Sequence, residues 1–102
     1  MPEKIVVAKT SEIPLGEGRA FPCRDRMIAI FHLEDRFYAM DDFCPHQGAS
    51  LAGGWVHDGC VACPWHAWRF RLDDGTWMDN PKIKTDTFPV TIEGDDVCIE
   101  IP

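Results

Sequence analysis

Two short motifs constrain this chain more than any other feature: Cys44-Pro45-His46, then sixteen residues, then Cys63-Pro64-Trp65-His66. Each couples one thiol with one imidazole, and a proline stiffens the turn between them. The four side chains can act as one site only if the fold brings two separate loops together. Gly48 and the pair Gly53-Gly54 flank the motifs and are expected to let backbone N–H groups approach whatever the loops hold. The five cysteines (Cys23, Cys44, Cys60, Cys63, Cys98) are odd in number and unevenly spaced. That suits a disulfide scaffold poorly and a metal site in a reducing compartment well.

The rest of the chain is short apolar or alternating runs broken by Gly, Pro and Asp, with no stretch of helical period, which predicts an all-β fold. Strands are expected at Ile5–Ala8, Arg19–Cys23, Met27–Leu33, Phe37–Met40, Cys60–Cys63, Arg69–Leu72, Phe88–Ile92 and Val97–Ile101. Turns are expected at Glu34-Asp35, Asp58-Gly59, Asp73-Asp74-Gly75 and Gly94-Asp95-Asp96, where residues tolerant of left-handed backbone gather. Hairpins of this kind stack into an antiparallel β sandwich or barrel. Between Met40 and Arg69 the prolines and glycines interrupt the runs while Cys and His concentrate, which predicts a loop-rich insert at about residues 41–70 on a β base. With 102 residues and no repeat, linker or low-complexity tract, one domain over residues 1–102 is expected.

A net charge of −7 disfavours nucleic acid and anionic membrane as partners and makes a basic protein surface the natural mate. No apolar run approaches the ~20 residues that span a bilayer. The opening residues lack the long apolar core of a secretory signal, so the cytoplasm is the expected compartment.

Two cysteines and two histidines form a tetrahedral zinc set as readily as a cluster set. Compact zinc modules pair Cys with Cys and His with His, whereas both pairs here are mixed. A [2Fe–2S] centre with two Cys on one iron and two His on the other requires that mixing, because each loop then gives one ligand to each iron. Cys60-Val-Ala-Cys63 also matches a redox C-x-x-C, but on a strand these residues face opposite sides and no βαβ pattern surrounds them. Cys60 is expected to be a core thiol.

Through Cys44-Pro-His-Gln-Gly48 and Cys63-Pro-Trp-His-Ala-Trp-Arg-Phe70 the chain resembles the Rieske ferredoxin family. The lead-in Phe37-Tyr-Ala-Met-Asp-Asp42 and the closing Phe88-Pro-Val-Thr-Ile-Glu-Gly-Asp-Asp-Val97 extend the resemblance over most of the chain. It implies a Rieske-like fold and one [2Fe–2S] cluster, with Cys44 and Cys63 on the buried iron and His46 and His66 on the iron nearest the surface. High-potential members of the family add a cysteine to each loop and a serine two residues past the second histidine. Here Ala49, Trp65 and Trp68 stand at those places, which implies a potential toward the low end of the Rieske range, roughly −150 mV.

The implied role is a soluble, low-potential one-electron carrier, itself not an enzyme, passing electrons from a reductase to a terminal oxygenase. The alternative is the small subunit of an assimilatory NAD(P)H nitrite reductase, bound to its large subunit, similar in length, in Cys63–Phe70 and in Asn80-Pro81. An oxygenase would need a further iron site, and only His32 and His57 remain for one.

Pro64, Trp65 and Trp68 could form an apolar docking patch, although Trp68 alternates with Phe70 and is expected to pack against the β base. Asp41 and Asp42 read as solvated turn charges, His32 as a packed strand residue, His57 as exposed in a turn, and Cys23 and Cys98 as small strand residues. No Ser/His/Asp set, phosphate-binding glycine loop or pair of carboxylates placed for acid–base work is present, so no catalytic residue is expected.

Overall fold

A computed structural model describes residues 3–23, 26–34, 36–42, 50–57, 59–63 and 68–101. Twelve antiparallel strands account for most of them. In chain order they are β1 (Glu3–Lys9), β2 (Gly18–Cys23), β3 (Arg26–Leu33), β4 (Arg36–Asp41), β5 (Trp55–His57), β6 (Cys60–Ala62), β7 (Arg69–Arg71), β8 (Thr76–Trp77), β9 (Asn80–Lys84), β10 (Thr87–Phe88), β11 (Val90–Glu93) and β12 (Asp96–Ile101). Two single 3-10 turns, Thr10–Glu12 and Leu51–Gly53, interrupt the strands.

The strands form three sheets, ordered β1-β12-β11, β10-β4-β3-β2 and β5-β6-β7-β8-β9. β3 explains how they stack. Its run Ile28-Ala29-Ile30-Phe31 is wholly buried, because side chains alternate across the pleat and both faces are covered. Ile28 and Ile30 pack with Val97, Ile99 and Ile101 of β12. Ala29 and Phe31 pack with Val61 of β6, Cys63, Phe70 of β7 and Leu72. The middle sheet therefore separates two cores, one shared with the terminal strands and one shared with the five-stranded lobe.

Every expected strand is present, but Phe88–Ile92 is two strands. Pro89 has no N–H to give a ladder, and at that point the chain leaves the middle sheet, where Phe88 pairs with Ala39, for the outer one, where Val90 pairs with Ile99. The expected turns are also in place: Glu34, Gly59, Gly75 and Gly94 all have positive φ. Gly94-Asp95 forms a two-residue hairpin between the paired Glu93 and Asp96.

Residues 43–49, 58 and 64–67 of the expected insert lie outside the described residues. The described part from Trp55 onward enters a five-stranded sheet that runs on to Lys84, and three of its strands (β5, β8, β9) are not among those the sequence predicts. They run to between two and five residues, too few for alternation to register, and Pro81 in β9 is tolerated because β9 is an edge strand. Gly54 lies at the entry to β5. A Cβ there would lie 2.0 Å from the Ala62 carbonyl oxygen, so its smallness lets the entry to β5 lie against β6.

Candidate metal centre

The centre is framed by the roots of two loops. β6 delivers Cys63 into the lobe's core with no exposed surface, among Leu51, Val61 and Phe70. Its backbone N–H donates to the carbonyl of Trp68 at 2.7 Å, so the segment carrying the second motif leaves and returns at one point. Trp68 is half-buried and stacks on Trp77, ring centroids 3.7 Å apart and planes 5° apart. It packs as expected, though on the lobe's core and not on the terminal sheet.

Asp42 forms the other root and corrects its reading as a solvated charge. It is 7% exposed, and its carboxylate accepts from the Ser50 hydroxyl at 2.7 Å and the Ala52 N–H at 2.8 Å. Its backbone carbonyl accepts from the Leu51 N–H at 2.9 Å, and its own N–H donates to Met27 at 3.0 Å. One residue thus ties the start of the first-motif segment to its end and both to β3. Leu51, at that root, and Cys63, at the other, lie in the same core. Neither Asp42 nor Ser50 has a motif of its own, and the role becomes visible only when residues eight apart meet.

Of the four candidate ligands, Cys63 lies among the described residues, while Cys44, His46 and His66 lie outside them, as do Ala49 and Trp65. Cys60 is buried, as expected of a core thiol, on the other side of the strand from Cys63, and its thiol lies 3.5 Å from the Met78 sulfur. That separation agrees with the reading against a redox C-x-x-C.

The remaining side chains are structural. His32 stacks on its cross-strand partner Phe37, centroids 4.1 Å apart, with Nδ1 2.9 Å from the Ile13 carbonyl oxygen. His57 is exposed, on β5 and not in a turn. Cys23 and Cys98 are buried, and desolvation pushes both thiols above their ordinary pKa. Among the described residues no group of three metal-ligating side chains lies elsewhere.

A thiolate carried into an apolar core needs a cation beside it, because an unpaired buried charge is strongly unfavourable. Ferric iron would meet that need, so a buried thiol at Cys63 fits an iron–sulfur cluster. The chain belongs to the Rieske [2Fe-2S] domain family, which matches residues 3–92. It accordingly takes one [2Fe–2S] cluster on an all-antiparallel Rieske-type fold.

Among sequence relatives, the 3-phenylpropionate/cinnamic acid dioxygenase ferredoxin subunit of Escherichia coli K12 is 35% identical over 103 residues, covering 97% of this chain and 94% of that one. Cholesterol 7-desaturase of Drosophila melanogaster is 39% identical over 77 residues, 74% of this chain but only 18% of that protein's length. Among solved structures, an NADH-dependent nitrite reductase small subunit from Mycobacterium tuberculosis superposes with a TM-score of 0.92 over 100% of this chain and 97% of that one, at 22% identity, a likeness of fold.

Proposed function

We propose that this protein is a soluble, cytoplasmic one-electron carrier that takes electrons from a reductase and delivers them to a terminal oxygenase. A single Rieske domain over residues 1–102 would serve this role, with Cys44, His46, Cys63 and His66 holding the cluster. The observation that carries the reading is the full-length likeness to a dioxygenase ferredoxin subunit, against the 18% coverage of a desaturase. Among the described residues no helix is long and apolar enough to cross a membrane.

The cluster supplies reversible one-electron chemistry when bound. The chain's own residues supply the rest: Cys63 is shielded from water by Leu51, Val61 and Phe70, and Asp42 closes the first loop. With no cysteine at 49 or 65 and no hydroxyl at 68, few side-chain donors draw charge from the sulfurs, which supports a potential near the low end of the range, roughly −150 mV.

EPR of the dithionite-reduced protein, with iron and acid-labile sulfide analysis, tests the reading. A Rieske-type spectrum with two irons and two sulfides per chain is the expected outcome; zinc without iron would replace the cluster by a structural metal. A clearly positive potential in a redox titration would end the low-potential assignment. The second reading, a nitrite reductase small subunit, draws on the Cys63–Phe70 and Asn80-Pro81 segments and on the shared fold. It requires copurification with a large subunit from the native host, whereas a carrier elutes alone.

A further inference from the structure

The formal charge of −7 is not spread over the molecule. Residues 43–85 hold four acids (Asp58, Asp73, Asp74, Asp79) and four bases (Arg69, Arg71, Lys82, Lys84), so the whole excess lies on the rest of the chain. The cations outside the lobe are largely engaged: Lys4 pairs with Glu93, Lys9 with Asp96 and Arg19 with Glu17, while Arg26 lies over the Phe88 ring. The four bases of the lobe form no ion pair with another described residue.

Two of these bases share a face. Cross-strand pairs place Trp55, Ala62 and Arg69 in one row, and His57, Cys60 and Arg71 in the next. Val56, Val61 and Phe70 turn to the core, so the two rows lie on the opposite face, where Trp55, His57, Arg69 and Arg71 are exposed and Cys60 is buried beside Met78. At strand spacing the first row spans about 10 Å. Trp55 is 66% exposed, the most exposed large apolar side chain among the described residues, and Ala62 beside it is too small to cover it. Ala62 directly precedes Cys63, and Arg69 directly follows the carbonyl that closes the second loop. The face thus starts at the root of the ligand-bearing segment.

We propose that this outer face of β5-β6-β7 is the docking surface for a redox partner protein whose own docking surface is acidic, Trp55 entering an apolar hollow and Arg69 and Arg71 meeting carboxylates at its rim. Such a partner is repelled by the acidic base and drawn only by the Arg69 and Arg71 side of a lobe that is neutral as a whole, which orients the encounter with the cluster end forward. The net charge points to a basic mate; the charge distribution points the other way at the productive face. At 0.1 M salt the Debye length is about 10 Å, so the row beside the cluster outweighs the more distant base.

The inference rests on the carrier reading, and two measurements on the holoprotein test it. The first involves no redox step: quenching of the Trp55 indole, taken as wild type minus W55F, by iodide and by caesium. An iodide-to-caesium quenching ratio above that of free N-acetyltryptophanamide supports a cationic surround, and a ratio below it overturns that surround.

The second is stopped-flow oxidation of the reduced protein by plastocyanin, an acidic copper protein. One electron leaves the Fe(II)–Fe(III) pair, giving two Fe(III), and copper(II) becomes copper(I), with no bond made or broken. The expected rate falls as salt rises, falls about tenfold at low salt in R69E/R71E, and falls about threefold in W55A. A rate that rises with salt, or that R69E/R71E leaves unchanged, overturns the proposal; an unaffected W55A variant overturns the anchor. Unchanged potentials in the variants keep driving force out of the comparison. A protein that contains no iron and shows no bleaching on reduction would instead overturn the carrier reading itself.

Discussion

Asp42 is 7% exposed yet engages four hydrogen-bond partners through its side chain and backbone. Asp42→Ala would leave the Ser50 hydroxyl and the Ala52 N–H without their acceptor, a loss of about 2–3 kcal/mol. Asp42→Asn keeps an oxygen for Ala52 and an amide that can donate to Ser50, so it should stay within about 1 kcal/mol of wild type. Thermal melts and iron per purified chain check the pair; an Asp42→Ala variant as stable as wild type would show that the carboxylate is not the tie. Sequence could name the four ligand candidates because Cys and His in that spacing have few other uses. It could not separate Asp41 from Asp42, since adjacent acids differ only in which one the fold turns inward.

At the level of elements, the β7–β8 turn was legible as Asp73-Asp74-Gly75, and its chemistry has a pH signature. The Asp74 carboxylate accepts from the Thr76 N–H at 2.9 Å and the Thr76 hydroxyl at 2.7 Å, which hold it below its ordinary pKa. Gly75 carries φ +76°, and a Cβ there would lie 2.2 Å from the Thr85 carbonyl oxygen, so the turn presses against the segment that links β9 to β10. A folded-state pKa below the unfolded value means stability that is fully present above about pH 4 and lost as pH falls through the depressed value. Melting wild type and Asp74→Asn from pH 6 to pH 2 should show a gap at pH 6 that closes below about pH 4; a constant gap would remove Asp74 from the acid limb. β5, β8 and β9 escaped sequence reading for the opposite reason. Each is held by a neighbour, β5 by β6, β8 by β7 and β9 by β8, not by a pattern of its own.

For the molecule as a whole, the two cores make an unequal demand on the cluster. Among the described residues, the core around Ile28, Ile30 and Ile99 contains no candidate ligand, while the core around Phe31, Leu51 and Phe70 contains Cys63. Removing iron from the purified protein with a chelator under reducing conditions should therefore loosen the lobe first. Amides of β5, β6 and β7 are expected to exchange about tenfold faster or more, with β3 and β12 little changed. Uniform acceleration would mean that the metal holds both cores together.

The sequence by itself determined the all-β architecture, the turns and the metal chemistry, because each of these is written in short-range terms: period two, residues that accept positive φ, and thiol–imidazole pairs at close spacing. Tertiary structure alone decided that Asp42 is buried, that Trp68 stacks on Trp77 while Trp55 faces water, and that the acidic charge sits away from the lobe. Burial and surface potential depend on which distant strands meet, and a residue carries no local mark of its partners across a sheet.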